Sequence, residues 1–421
     1  MNRKQTVCLL NDSFPPLIDG VANTVMNYAN ELPGFGYESM VITPAHPNAD
    51  DSDFSYPVAR YPSITTQKFE GYPAGVPFSP EVAGQIKEKD VALLHTHCPV
   101  MSTFMARQLR QITKAPIVFT YHTKFDVDIA NITKNPALQT ACKKALVANV
   151  SACDEVWAVS QGAGENLRSL GYEGDYIVMP NGVDLPRKQA TEQQIDAVTG
   201  KYDLPCDIPV YLFVGRMMWY KGLKIILDAL ATLQAKKQDF RMVFIGDGED
   251  RGEIEAYAVL CGIQSRCLFT GAIRDREALR AWYSRADLFL FPSSYDTNGL
   301  VVREAAASSL ASVLIRGSCA AEGVTDGHNG FLIDENAPSL TRCLQSLTRD
   351  KMAAVGQAAS YELYISWKDA VKCATDRYAA VIENNSCGVY TRHLKPMEGI
   401  MKMNGELMEA FAKLSALRHR R

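Results

Sequence analysis

Twelve short apolar runs in two sets of six, with helical patterns between several of them, constrain the fold of this chain more than any other feature. The first set is Thr6–Leu10, Met40–Thr43, Val91–His95, Ile117–Thr120, Glu155–Val159 and Tyr176–Met179, with amphipathic stretches such as Val21–Leu32 and Met101–Ile112 between. The second is Pro209–Gly215, Met242–Gly246, Cys267–Thr270, Asp287–Phe291, Ser312–Ile315 and Gly330–Ile333. Continuous apolar runs alternating with helices imply parallel strands buried on both faces, hence α/β units of the doubly wound kind. Residues 186–208 carry two prolines, a polar stretch and a short helix candidate, and break the alternation. The expected organisation is a first Rossmann-like domain over 1–185, a linker over 186–208 and a second over 209–365. A helix over 366–384 then crosses back to the first domain, and a tail follows over 385–421.

Paired sheets of this type bind ligands beyond the carboxyl ends of their strands, in the cleft between the halves, so the residues just past each strand are the ones to interrogate. Ser293–Glu304 reads SSYDTNGLVVRE behind a buried strand and ahead of a helix former, placing Asp296 and Glu304 eight residues apart around a glycine turn. The backbone N–H groups of Asn298, Gly299 and Leu300 would face an anion there, while the carboxylates accept from sugar or ribose hydroxyls. Gly215-Arg216-Met217-Met218-Trp219-Tyr220-Lys221-Gly222 sets two cations in the first loop of the second half, a pair suited to neutralising a diphosphate. In the first half, Asn11–Thr24 (NDSFPPLIDGVANT) puts Gly20 before a helix, where backbone can approach a phosphate. Val118–Asp126 (VFTYHTKFD) puts His122 directly past a strand, placed to donate to a sugar hydroxyl. His95 and His97 also follow a strand, and no role is assigned to them.

Composition narrows the partners. The 421 residues are 47% apolar, ample for two cores, and a net charge of -3 with a pI near 6.2 gives no electrostatic footprint for nucleic acid. Eleven cysteines without a CxxC pair read as reduced thiols, and His95, His97 and Cys98 lie too close along one strand to make a metal cluster. The first apolar run is too short for a signal peptide and no run of eighteen apolar residues occurs, so the expected location is the cytoplasm, with peripheral contact at the inner face of the membrane. Met403, Leu407, Phe411 and Leu414 fall at helical spacing beside Lys402, Lys413, Arg418, Arg420 and Arg421, which suits either a helix docked on a core or dimer partner or one lying on lipid. Glu398, Glu406 and Glu409 dilute its charge. Arg107, Arg110 and Lys114, on one helix, and Lys143-Lys144 offer further basic patches.

Taken together, these segments resemble the GT-B retaining glycosyltransferases of family 4 over residues 5 to 383. Gly215-Arg216 to Lys221-Gly222 looks like that family's GR-x4-KG donor-phosphate motif, Pro180-Asn181-Gly182-Val183-Asp184 like its PNGVD hinge, and Gly246-Asp247-Gly248 like its G-x-G strand end. Asp296 to Glu304 looks like its E-x7-E motif, with aspartate in place of the first glutamate, one methylene shorter. The resemblance implies that Arg216 and Lys221 stabilise the leaving diphosphate, that Glu304 binds ribose, and that Asp296 meets the donor sugar with Asn298, Gly299 and Leu300 while His122 helps to position it. FPPLIDGVANTV, HTHCPV, TYHTKFD and the DTNG turn are most similar to bacterial diacylglycerol glucosyltransferases and their processive relatives. This implies transfer of a hexose from a UDP-sugar, UDP-glucose first, to a membrane lipid with retained configuration and no metal or other cofactor. Two alternatives stand beside it: a soluble or polyprenyl-linked saccharide acceptor, and a nucleotide-sugar-binding regulator without turnover. A nicotinamide dehydrogenase would need a third glycine after Gly246-Asp247-Gly248.

Overall fold

The computed structural model describes residues 4–65, 72–390 and 397–418, with the side chains of a few of these left out, Leu414–Arg418 among them. The chain divides into two compact units, Met1–Asn181 with Trp367–Arg421, and Gly182–Ser366.

In the first unit the strands are β1 (Thr6–Leu10), β2 (Glu38–Pro44), β3 (Val58–Tyr61), β4 (Ser63–Thr65), β5 (Pro73–Gly75), β6 (Val91–Thr96), β7 (Ile117–Tyr121), β8 (Glu155–Ala158) and β9 (Ile177–Val178). Seven of them form a parallel sheet of order β3-β2-β1-β6-β7-β8-β9, and β4 and β5 pair antiparallel. The chain leaves β1 toward β2 and β3, then returns to β6 on the other side, so the topological switch lies between β1 and β6. All five residues of β1 are buried, as expected of a strand with helices on both faces. Strands β3 to β5 were not expected. They are three or four residues long, and β5 contains Pro73 and Gly75, which weaken any sequence signal for a strand.

The second unit holds β10 (Val210–Val214), β11 (Arg241–Ile245), β12 (Cys267–Gly271), β13 (Leu288–Phe291), β14 (Ser312–Ile315) and β15 (Phe331–Ile333), all parallel, in the order β12-β11-β10-β13-β14-β15. Its switch lies between β10 and β13. The segment 186–208, expected as a linker, falls inside this unit. Thr191 opens a helix over Glu192–Thr199 through a capping box with Gln194, and Arg280 of the helix Arg276–Arg285 donates to the Gln189 carbonyl at 3.3 Å. The proline-rich composition was read as a break because the helix between the prolines is only two turns long.

Two helices close the chain, Trp367–Ser386 and Glu398–Arg418, both in the first unit. The second docks through Met401 and Met408, which are buried, while Gly405 lies against the helix Met101–Thr113 so closely that a Cβ there would sit 2.8 Å from the Gln111 side chain. Ser79 N–H lies 3.2 Å from the Met408 sulfur, and Lys87 pairs with Glu409 at 2.5 Å. The basic patch expected on Met101–Thr113 is overturned: Arg107 and Arg110 are 1% exposed. Arg110 bonds to Glu398, the Ala152 carbonyl and Asp154, and Arg107 bonds to Asn149 at 3.0 Å. Burial pulls the Arg107 pKa down, against Glu398. These guanidiniums hold the last helix in place and present no charge to solvent. A helix face that carries arginine at i and i+3 reads as basic surface until a carboxylate from elsewhere in the chain covers it.

Candidate active site

The second unit carries the phosphate-type features at its switch point. Gly215 leaves β10 at φ +156°, and the loop after β11 crosses so near that a Cβ on Gly246 would sit 1.8 Å from the Gly215 carbonyl oxygen. Met217 N–H donates to the Asp247 carbonyl at 2.9 Å, which ties the two loops together. A short turn over Trp219–Lys221 then ends at Gly222, φ +77°, which opens the helix Leu223–Ala235. A Cβ on Gly222 would meet the Pro292 carbonyl at 1.9 Å, so only glycine lets the loop after β10 press against the end of β13.

That contact places Lys221. It is 7% exposed, and its Nζ lies 2.5 Å from Asp296 Oδ1, with the rings of Tyr220, Phe291 and Tyr295 within 5.6 to 6.0 Å. Asp296 is held from the other side by the Ser293 hydroxyl, which donates to Oδ2 at 2.6 Å. The two residues, 75 apart in sequence, therefore meet where the two loops converge. Arg216 is exposed and hydrogen-bonded to Tyr220, whose phenol burial pushes up while the guanidinium pulls it down. One cation is thus buried and fixed and the other stands in solvent.

Downstream, Gly299 at φ +58° opens the helix Leu300–Ala307, and its missing side chain admits Ala320, which a Cβ would approach to 2.9 Å. No side chain caps this helix, nor the one that starts at Leu223, so both N-termini present unsatisfied N–H groups. Asn298 turns both its amide nitrogen and oxygen into the protein without a hydrogen-bond partner. Glu304 accepts from Arg276 Nη2 at 2.7 Å and from the Tyr283 hydroxyl at 3.0 Å. Burial, and then Glu304, push the Tyr283 phenol well above its ordinary value, so it stays a donor. Each Glu304 oxygen keeps acceptor capacity beyond these bonds.

Arg276 and Tyr283 escaped the sequence reading because their role is set by the helix that follows β12, and nothing local marks them. On the ribose-binding role that the resemblance implies for Glu304, Arg276→Ala is expected to raise the donor KM about tenfold while changing kcat less than about twofold, since a carboxylate left unsteadied loses ground-state and transition-state contacts alike. Steady-state kinetics in donor concentration checks this, and an unchanged KM would refute it.

The first unit is different at the same topological position. Asp19 caps the helix Gly20–Glu31, accepting from Val21 and Ala22 N–H at 2.9 and 2.7 Å. Asp12 caps Met101–Thr113, accepting from Met101 and Ser102 N–H at 3.1 and 2.7 Å. A phosphate near Gly20 would have to contend with the Asp19 carboxylate for those amides. Among the described residues a Cβ on Gly20 would meet nothing within 4 Å. Electrostatics therefore favours an anion at the second unit.

His122 does stand directly past β7, buried, with Nε2 3.0 Å from His97 Nδ1. His95 bridges the Tyr378 hydroxyl at 2.5 Å and the Thr120 hydroxyl at 2.7 Å, and the His95 and His97 rings lie 4.0 Å apart. Burial lowers all three imidazoles, His122 to about 3 and the others well below their ordinary value, so each is neutral at physiological pH. Among the described residues no group of three His, Cys, Asp or Glu could hold a metal ion.

Similarity to known proteins accords with this architecture. Residues 18–187 match the model of Glycosyltransferase Family 4, and residues 195–360 match that of Glycosyl transferases group 1. The chain belongs to the GT-B glycosyltransferases. It is 26% identical to a GDP-mannose-dependent alpha-mannosyltransferase of Corynebacterium glutamicum over 79% of this chain and 77% of that protein. It is 24% identical to the alpha-monoglucosyldiacylglycerol synthase of Acholeplasma laidlawii over 78% of this chain and 84% of that one. Among solved structures, sucrose-phosphate synthase from Thermosynechococcus elongatus has the same fold, with a TM-score of 0.72 at 20% identity over 90% of this chain and 100% of that one.

Proposed function

We propose that this glycosyltransferase moves a hexose, glucose in the first instance, from a UDP-sugar to a lipid hydroxyl of the diacylglycerol type, with retention, at the inner face of the membrane. The observation that carries the reading is the buried Lys221 ammonium held against Asp296 between two uncapped helix N-termini, a site built for a diphosphate next to a hydroxyl-bearing sugar. The lipid acceptor is supported by the sequence motifs of the first half and by the product named for the Acholeplasma relative.

In the reaction the bond from the anomeric carbon to the β-phosphate oxygen breaks with its electron pair going to that oxygen. The acceptor hydroxyl forms the new bond on the same face, and its proton passes to the departing phosphate. Lys221, Arg216 and the N–H groups of Leu300 and its neighbours neutralise the charge that develops on the diphosphate. Asp296 accepts from a sugar hydroxyl and Glu304 from the ribose.

The Corynebacterium relative supports a second donor, GDP-mannose. Labelled UDP-glucose and GDP-mannose, each offered diacylglycerol vesicles and soluble sugars, separate the readings. The proposal expects label from UDP-glucose in the organic phase; label that appears only in water-soluble product would sink it.

A further inference from the structure

The last helix, Glu398–Arg418, has a second apolar face that docking leaves uncovered. At about 100° per residue, Ile400, Met403, Leu407 and Phe411 fall within an arc of about 80°, its centre about 105° round the helix from the buried Met401 and Met408. Each of the four is between 45% and 55% exposed. Lys402 and Lys413 are exposed along one flank, with Glu406 between them and the apolar stripe.

The charge of this helix also differs from its composition. Glu398 is consumed by Arg107 and Arg110, and Lys87 alone offsets Glu409, which Lys413 also contacts, so two of the three glutamates that dilute the basic residues in sequence are neutralised from outside this helix. The chain then continues through Arg418-His419-Arg420-Arg421. An isolated apolar stripe beside a net-basic flank is complementary to an anionic lipid surface, where the aliphatic and aromatic side chains enter the acyl boundary and lysines reach the headgroups. A second protein chain suits it less well. Four half-exposed side chains offer a few hundred Å² at most, short of the roughly 800 Å² that each partner brings to a stable interface.

We infer that Ile400, Met403, Leu407 and Phe411 form a docking stripe for anionic lipid, with Lys402 and Lys413 at its edge. This rests on the lipid-acceptor reading for its purpose but not for its test, which needs neither donor nor acceptor. The full chain is floated with phosphatidylcholine vesicles and with vesicles of phosphatidylcholine and phosphatidylglycerol. Flotation with the mixed vesicles is expected, and Leu407→Ser with Phe411→Ser is expected to weaken it at least about tenfold, the loss that two inserted apolar side chains imply. Lys402→Glu with Lys413→Glu is expected to lower binding to the mixed vesicles and to leave the weaker binding to neutral ones unchanged. Both pairs are exposed, and unchanged circular dichroism confirms that they fold. The inference is overturned if the parent chain stays in solution, if the serine pair floats as well as the parent, or if light scattering finds a dimer that the serine pair dissociates. Transfer to soluble sugars alone, with flotation intact, would instead remove only the proposed acceptor.

Discussion

Lys221→Ala is expected to lower kcat about 10²- to 10³-fold while shifting the donor KM much less, because the ammonium does most of its work on charge that appears only as the diphosphate departs. The geometry sets this size. Lys221 is buried, fixed by Asp296 and ringed by three aromatics, so no water reorganisation is needed to bring it into use, whereas the exposed Arg216 must be drawn in. Arg216→Ala is accordingly the weaker variant. Folding survives Lys221→Ala, since Asp296 keeps its bond to Ser293 and is partly exposed. Rapid-quench measurement of the transfer step, with a thermal melt as control, decides it. Near-normal turnover in a folded variant would remove the mechanism.

The second large effect is on stability. His95, His97 and His122 have folded pKa values depressed from 6.5, so the unfolded chain binds more protons between that value and the low folded ones. Their contribution is complete above about pH 6.5 and is lost as pH falls, at about 1.4 kcal/mol per pH unit for each imidazole. The loss is drawn from the ~5–15 kcal/mol that stabilises a typical domain. The neighbouring phenols of Tyr28 and Tyr378 are pushed up by burial and remain uncharged, so they supply an imidazolium with no countercharge. Salt-bridged carboxylates act in a lower window: Glu409, held at about 2 by Lys87 and Lys413, loses its contribution only as pH falls below its ordinary 4.5. The first unit is therefore expected to melt progressively earlier between pH 6.5 and 5, before the carboxylates titrate. His97→Gln is expected to shrink that slope by about a third. A melting temperature that is flat from pH 7 to pH 5 would contradict the assignment.

Much of the architecture was legible because parallel strands covered on both faces are written as unbroken apolar runs. Ser312–Ile315 and Thr6–Leu10 stand where their runs fall. The pairing of Lys221 with Asp296 was half legible: each residue was singled out from its own loop, but their contact depends on β10 and β13 being neighbours, which no local pattern states. Arg107 and Arg110 misled for the same reason, since the carboxylate that buries them lies some 290 residues further on. The histidines were visible as residues past strands, yet the contact of His122 with His97 needed β6 and β7 side by side. What sequence concealed at these side chains was long-range, whereas β3 to β5 were hidden by their own shortness.

The glycines at 222, 246 and 299 have a further consequence. At each, main chain or a small residue fills the space a side chain would need, so the frame around the ammonium is made of backbone pressed on backbone and cannot be adjusted by side-chain exchange. A scaffold built so holds the Lys221 ammonium in one place through descent, whatever changes on the surface around it.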